Sequence, residues 1–253
     1  MADRPWSTFA RDRAELDRQY EAPAYREASG LAYDDLEKGA LALAAGLAGE
    51  PHPVVKARAF AYILENARLA VNPHDWFGFH FDVVKVVGKA DIGWHVRMIL
   101  GRLSGKWINE LCQGPVQPYV SERARQGRDD GLFVMYPDYA HSSPNWDDLL
   151  ALGLPGLLAR ARHFRREQTA LTPAQAAFYD GIEISYEAMI GFAERLSAEV
   201  SLHAAGSAKM QRLADALRRL AVAAPASTYE ALVLAMFYWK LQENVEMARV
   251  RTL

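Results

Sequence analysis

The sequence predicts a mainly α fold, and three observations carry that reading. Thr172-Pro173-Ala174-Gln175 is a capping box, and Ser227 with Glu230 forms a second. In such a box a hydroxyl accepts from the N3 amide while the N3 side chain reaches back to the cap, so it marks a helix start. Behind the first box, Phe178, Ile182, Ser185, Met189, Phe192, Leu196 and Val200 recur in steps of four and three. That is the period of one helix face, which a strand cannot use. Behind the second, the chain from Ser227 to Leu253 reads as one continuous helix.

Composition narrows the class. At 253 residues, with 51% hydrophobic and 24% charged residues, the chain is long enough for a packed core and is not disordered as a whole. A net charge of -2 gives no electrostatic reason for a nucleic-acid or anionic-membrane partner. Met1-Ala2-Asp3-Arg4-Pro5-Trp6 lacks the apolar core of a secretory signal. No apolar run approaches the roughly 20 residues needed to span a bilayer. Cys112 is the single cysteine, so an internal disulfide and a cysteine-built zinc site are excluded. The expectation is a cytoplasmic chain with no nucleic-acid and no membrane partner.

Taken in order, Pro53 to Ala70 reads as a helix with Val55, Ala59, Tyr62 and Ile63 on one side and Lys56, Arg58, Glu65 and Arg68 toward water. The stretch from Val71 to Pro144 is richer in glycine, histidine and tryptophan. It predicts irregular structure with a short strand or two and a helix around Trp94 to Leu111. Ser143-Pro144 reads as an N-cap followed by proline at the first helical position, with Asp147 and Asp148 favoured by the helix dipole. That helix closes at Gly153, and Leu154-Pro155 opens another to Arg165-Arg166. Met210, Leu213, Leu217 and Leu220 define a further helix, which Pro225 breaks. The last helix shows no Gly or Asn stop, no proline beyond it and no polar tail, so the chain is expected to be the front part of a longer polypeptide.

Candidate chemistry is sparse. Cys112, after an apolar helix, reads as a small buried hydrophobe and not as a nucleophile, because no neighbour plainly activates it. His74, Asp75, His80 and Asp82 offer imidazole and carboxylate ligands that suit iron or zinc, but without the i, i+4 spacing of a helical metal pair. A polar rim around Trp76, Phe77 and Phe79 is the competing reading. His141, with Asp138 and Tyr139 before it, lies in a loop leading to a helix start, where it either caps its own loop or presents a donor to a ligand. Arg160, Arg162, Arg165 and Arg166 around His163 read as a solvated basic face at a helix end.

Five segments then match one family in order. Pro53-Val54-Val55-Lys56-Ala57-Arg58-Ala59 with Ile63-Leu64-Glu65-Asn66 and Val71-Asn72-Pro73-His74-Asp75 resembles the N-terminal region of pyruvate formate-lyase-like glycyl radical enzymes. His141-Ser142-Ser143-Pro144-Asn145-Trp146-Asp147-Asp148-Leu149-Leu150, with Leu152-Gly153-Leu154-Pro155-Gly156-Leu157, is similar to that family's next element. Phe178-Tyr179-Asp180-Gly181-Ile182 to Phe192-Ala193-Glu194-Arg195, Ser227-Thr228-Tyr229-Glu230-Ala231-Leu232, and Arg249-Val250-Arg251-Thr252-Leu253, which ends where the family writes Gly-Arg-x-Asp, complete the series.

The resemblance implies the helical N-terminal region of a barrel enzyme with the barrel largely absent: residues 1–52 as a helical extension and 53–253 as a family domain incomplete at its C-terminus. It implies a lyase or dehydratase of anaerobic metabolism, formate C-acetyltransferase being the type activity. Its cofactor is a glycyl radical installed by a radical S-adenosylmethionine activase. The radical glycine and the cysteine that relays it belong to loops not matched here. The chain is therefore expected to bind no cofactor directly, to hold no catalytic residue and to be silent alone. His141, Asp138 and Tyr139 carry over as substrate-facing residues. The implied partner is the remainder of the barrel, in cis or on another chain, with self-association through exposed apolar helices as a further expectation. Two other classes remain open: a stand-alone helical module docking on a partner chain, and a metal-dependent hydrolase built on His74, His80 and Asp82.

Overall fold

Helices dominate the computed structural model, which describes residues 9–21, 30–31, 33–71, 80–81, 121–132, 141–142, 144–244 and 249–250. In chain order α1 (Phe9–Glu21), α2 (Tyr33–Gly46) and α3 (His52–Asn66) lead into an antiparallel pair, β1 (Leu69–Ala70) with β2 (His80–Phe81). Then come α4 (Glu122–Asp129), β3 (His141–Ser142), α5 (Trp146–Glu167), α6 (Pro173–Leu202), α7 (Ala208–Val222), α8 (Thr228–Asn244) and β4 (Arg249–Val250).

The longest helix, α6, is the centre of the packing, lying against α3, α5 and α7. Its stripe of apolar residues is buried from Met189 through Phe192, Leu196 and Val200, whereas Phe178 at the front is 56% exposed and Ile182 and Ser185 are half-buried. Met210, Leu213, Leu217 and Leu220 of α7 and Val233, Leu234, Phe237 and Leu241 of α8 complete the core. The rings of Phe192 and Phe237 meet at 5.7 Å between centroids, tilted by 35°. Emptying either position would remove one of the largest fully buried side chains, at a typical cost of about 3–5 kcal/mol.

Helices α3 and α6 run side by side in the same direction. At one end Gly181 lets α6 approach α3 closely, since a Cβ there would sit 3.0 Å from the Pro53 carbonyl oxygen. At the other end Arg195 donates from Nη1 to the Leu64 carbonyl at 2.7 Å and from Nη2 to the Ala67 carbonyl at 2.6 Å. Those carbonyls end α3 and have no partner within their own helix. A buried hydroxyl makes the equivalent tie to α7: Ser197 Oγ donates to the Ala214 carbonyl at 2.8 Å.

Local signals placed most helix ends. Thr172 accepts from the Gln175 amide at 3.3 Å and the Gln175 side chain accepts from the Thr172 amide at 2.9 Å, so this capping box is present as written in the sequence. At α8, Ser227 Oγ accepts from the Glu230 amide at 3.2 Å, but the Glu230 carboxylate reaches one residue further, to the Ala226 amide at 2.6 Å. The cap of α5 is Asn145, which accepts from the Asp148 amide, and not Ser143. Gly153 interrupts α5 with φ 63° and ψ -178°, so the helix stop expected there is real.

Four expectations need correction. Helix α3 ends at Asn66 and not near Ala70, because Leu69 and Ala70 pair with Phe81 and His80. The terminal helix does not run to Leu253. It is described to Asn244, and Arg249–Val250 is extended. Phe237 and Leu241 of that helix are core rather than exposed surface; Leu232 and Trp239 are the residues that remain exposed, by 46% and 39%. Lastly, the basic cluster is not simply a solvated face. Arg162 pairs with Glu183 at 3.1 Å and with Glu187, while Arg165 pairs with Asp180 at 2.7 Å and Glu183 at 2.8 Å, tying α5 to α6. The segment Trp94 to Leu111 lies outside the described residues.

Two outcomes follow from this packing. At Gly153 the backbone occupies a region that essentially only glycine adopts, and a Cβ would stand 2.8 Å from the Ala224 Cα. Gly153→Ala is expected to cost about 3 kcal/mol and to lower the melting temperature by roughly 6–12 °C; an unchanged melting curve would refute the kink. For Glu183, the hydrogen bond from Arg165, then that from Arg162, holds the carboxyl below its ordinary pKa against the opposing effect of burial. A depressed carboxylate stabilises the fold above its unfolded pKa, and that share is lost as pH falls through the folded value. Glu183→Gln should therefore lower the melting temperature by about 2–4 °C at neutral pH, and the gap from the parent should close below roughly pH 4. A gap independent of pH would show that the charge contributes nothing.

Candidate functional site

Of the three residues singled out as substrate-facing, His141 is in β3, while Asp138 and Tyr139 lie outside the described residues. β3 runs parallel to β4, with His141 opposite Arg249 and Ser142 opposite Val250. A parallel pair needs a long crossover connection, and α5 to α8 form it. The pairing thus joins the histidine motif and the terminal arginine segment, which are far apart in the chain. β3 also leads directly toward the Asn145 cap of α5. In folds built on parallel strands, ligands are held outside the carboxyl ends of the strands and beside the helix starts that follow. β3 is two residues long, with His141 first and Ser142 at its carboxyl end.

The other candidates separate. His80 belongs to β2, and His74, Asp75 and Asp82 lie outside the described residues, as does Cys112. Among the described residues no helix is long and apolar enough to cross a membrane.

A second place was not signalled by any motif. Between α3, α6 and α8 lies an open cleft of about 390 Å3. Phe60, Met189 and Leu241 supply apolar wall, and Lys56, Ser185, Tyr186, Tyr238 and Gln242 supply polar groups. The phenols of Tyr186 and Tyr238 are hydrogen-bonded to one another. Burial pushes the Tyr186 phenol above its ordinary pKa, against the effects of the Tyr238 hydrogen bond and the Arg160 charge, so it is protonated at neutral pH. The Gln242 Oε1 atom is buried with no hydrogen-bond partner. Sequence reasoning missed these residues because Tyr186 and Tyr238 sit on different helices. The one local trace is Tyr238 and Gln242 at i, i+4, a polar pair within a helix that is otherwise apolar nearly all round.

Comparison with known proteins concerns the family and the fold. The family model described as pyruvate formate lyase-like matches residues 88–244. Among solved structures, the glycerol-bound B12-independent glycerol dehydratase from Clostridium butyricum aligns with a TM-score of 0.64 at 15% identity, over 95% of this chain and 34% of that one. A Roseburia inulinivorans structure determined for 1,2-propanediol dehydration gives 0.62 at 15% identity, over 92% and 32%. A glycyl radical enzyme from Archaeoglobus fulgidus gives 0.61 at 17% identity, over 91% and 34%. At such identities the likeness is one of fold. The chain spans about a third of the length of each. No curated protein sequence matches.

Proposed function

Because the chain belongs to the pyruvate formate lyase-like family, we propose that it supplies the helical N-terminal portion of a glycyl radical lyase or dehydratase acting on a small polar substrate. The observation that carries this reading is the parallel pair β3–β4, which sets His141 opposite Arg249. Parallel sheets occur with both faces covered and with more strands than two, so a two-residue parallel pair is a place to which further strands add. Those strands would be the remainder of the barrel, in cis or on a partner chain. The half-exposed Trp239 and Leu232 on α8 give that partner, or a second copy of the chain, apolar surface to cover.

In this reading His141, with Asp138 and Tyr139 in the segment before it, faces the substrate. The chain binds no cofactor itself. The glycine loop and the cysteine loop are supplied by the remainder, and an activase of the radical S-adenosylmethionine class, acting in the cytoplasm, installs the radical. No radical step is assigned to residues of this chain.

The test is electron paramagnetic resonance of the purified chain after anaerobic incubation with an activase and S-adenosylmethionine. The expected result is no glycyl radical signal. A doublet that disappears when a glycine of this chain is replaced would overturn the proposal, because the radical would then reside in the helical portion.

A further inference from the structure

We propose that the cleft between α3, α6 and α8 binds a small aromatic monocarboxylate. The inference stands apart from the family reading, which concerns β3 and the barrel. Each helix gives the cleft one face: Pro53, Lys56 and Phe60 of α3 line it at helical spacing, as do Phe178, Ser185 and Met189 of α6. Lys56 is therefore on the stripe of α3 that forms the cleft, between Pro53 and Phe60, and it is half-buried. Among the described residues of the lining it is the one charged group, and no carboxylate accompanies it. A cation would meet like charge there, whereas a carboxylate gains a charge-assisted hydrogen bond from the lysine. One point charge in a largely apolar lining suits a monoanion; a phosphate dianion would be left with uncompensated buried charge.

The rest of the ligand is set by the other side chains. Phe60, Phe178, Tyr186 and Tyr238 put four aromatic groups into one lining, together with the thioether of Met189. Aromatic rings favour offset or edge contacts with a further ring, and methionine sulfur favours a ring edge, so this lining selects an aromatic body over an aliphatic one. Phe178 is the second observation that points to a ligand. Its side chain is 56% exposed, although Met189 further along the same stripe of α6 is buried in the core. A large apolar side chain left in water at a concave place is surface that a bound ring covers at a gain. At about 390 Å3 the cleft is large enough for one ring with a short substituent, near the lower end of the roughly 300–1,000 Å3 common for ligand sites.

Benzoate is the probe, titrated into the purified chain carrying 13C-methyl-labelled methionine. The Met189 methyl resonance, identified by its loss in Met189→Leu, is the reporter. The expected result is a saturable shift with a dissociation constant of about 1 mM or below, within reach of a fragment of this size. Benzamide, neutral and nearly the same shape, should bind about tenfold more weakly, and benzylammonium should give no saturable shift. Lys56→Met should weaken benzoate by about tenfold and leave benzamide unchanged. Phe178→Ala, at a position exposed enough to tolerate the change, should weaken both by about fivefold. Circular dichroism and melting temperature establish that each variant is folded, and Lys56→Gln replaces Lys56→Met if the latter is not. Absence of a saturable Met189 shift up to the solubility limit of sodium benzoate overturns the proposal. So does a benzoate dissociation constant that is the same in the parent and in the folded Lys56 variant, or benzamide or benzylammonium binding as tightly as benzoate. Unchanged binding of both ligands by Phe178→Ala would place the ring elsewhere and overturn it as well.

Discussion

One side chain joins three parts of this structure. Arg195 emerges from α6 and donates to the Leu64 and Ala67 carbonyls, closing the end of α3. The same turn also receives the segment before α2: the Leu31 amide donates to the Asn66 carbonyl at 2.7 Å and the Arg68 amide to the Leu31 carbonyl at 3.1 Å. Burial lowers the pKa of Arg195 from its ordinary value, with Glu199 opposing, yet a guanidinium so high on the scale keeps its proton. A charge taken partly out of water is tolerated when its donors are satisfied, and the orphan carbonyls of a helix end provide that. With Gly181 setting the approach at the other end, α3 is locked beside α6 in one register, and the apolar stripe of α6 is committed to the core.

The two candidate places depend on that registration in different ways. The cleft is the space left where α3 and α6 diverge from α8, so its walls are rigid helix faces. The β3–β4 pair is joined by the crossover that α5 to α8 make. A scaffold of this kind presents strand edges without depending on them for its own core.

How much of this was legible follows the range of the interactions. Thr172, Ser227, Gly153 and Pro225 act within a turn of the chain, and each marks a boundary near where the structure has one. The α7 residues Met210, Leu213, Leu217 and Leu220 repeat with helical period, and all are buried. By contrast, the carboxylate partners of Arg162 and Arg165 lie on the next helix, so a basic run looked solvated. Two-residue strands carry no period, and β3 and β4 were invisible for that reason. The overextension of α8 has a plainer cause: the apolar run gives way at Gln242-Glu243-Asn244, where the described helix has its last residues. The resemblance to the family rested on segment order, which survives where single motifs are weak. The position of His141 at a strand end needed the pairing with Arg249 before it had a structural meaning.

Amide hydrogen exchange across the 253-residue chain, followed by mass spectrometry, tests most directly whether the Arg195 joint couples the helical layer. Amides of α3, α6 and α7 should fall together in the slowest class, and Arg195→Met should move α3 and the 66–68 turn into a faster class together. Protection of α3 unchanged by that substitution would contradict the account, since α3 would then be held by apolar packing alone.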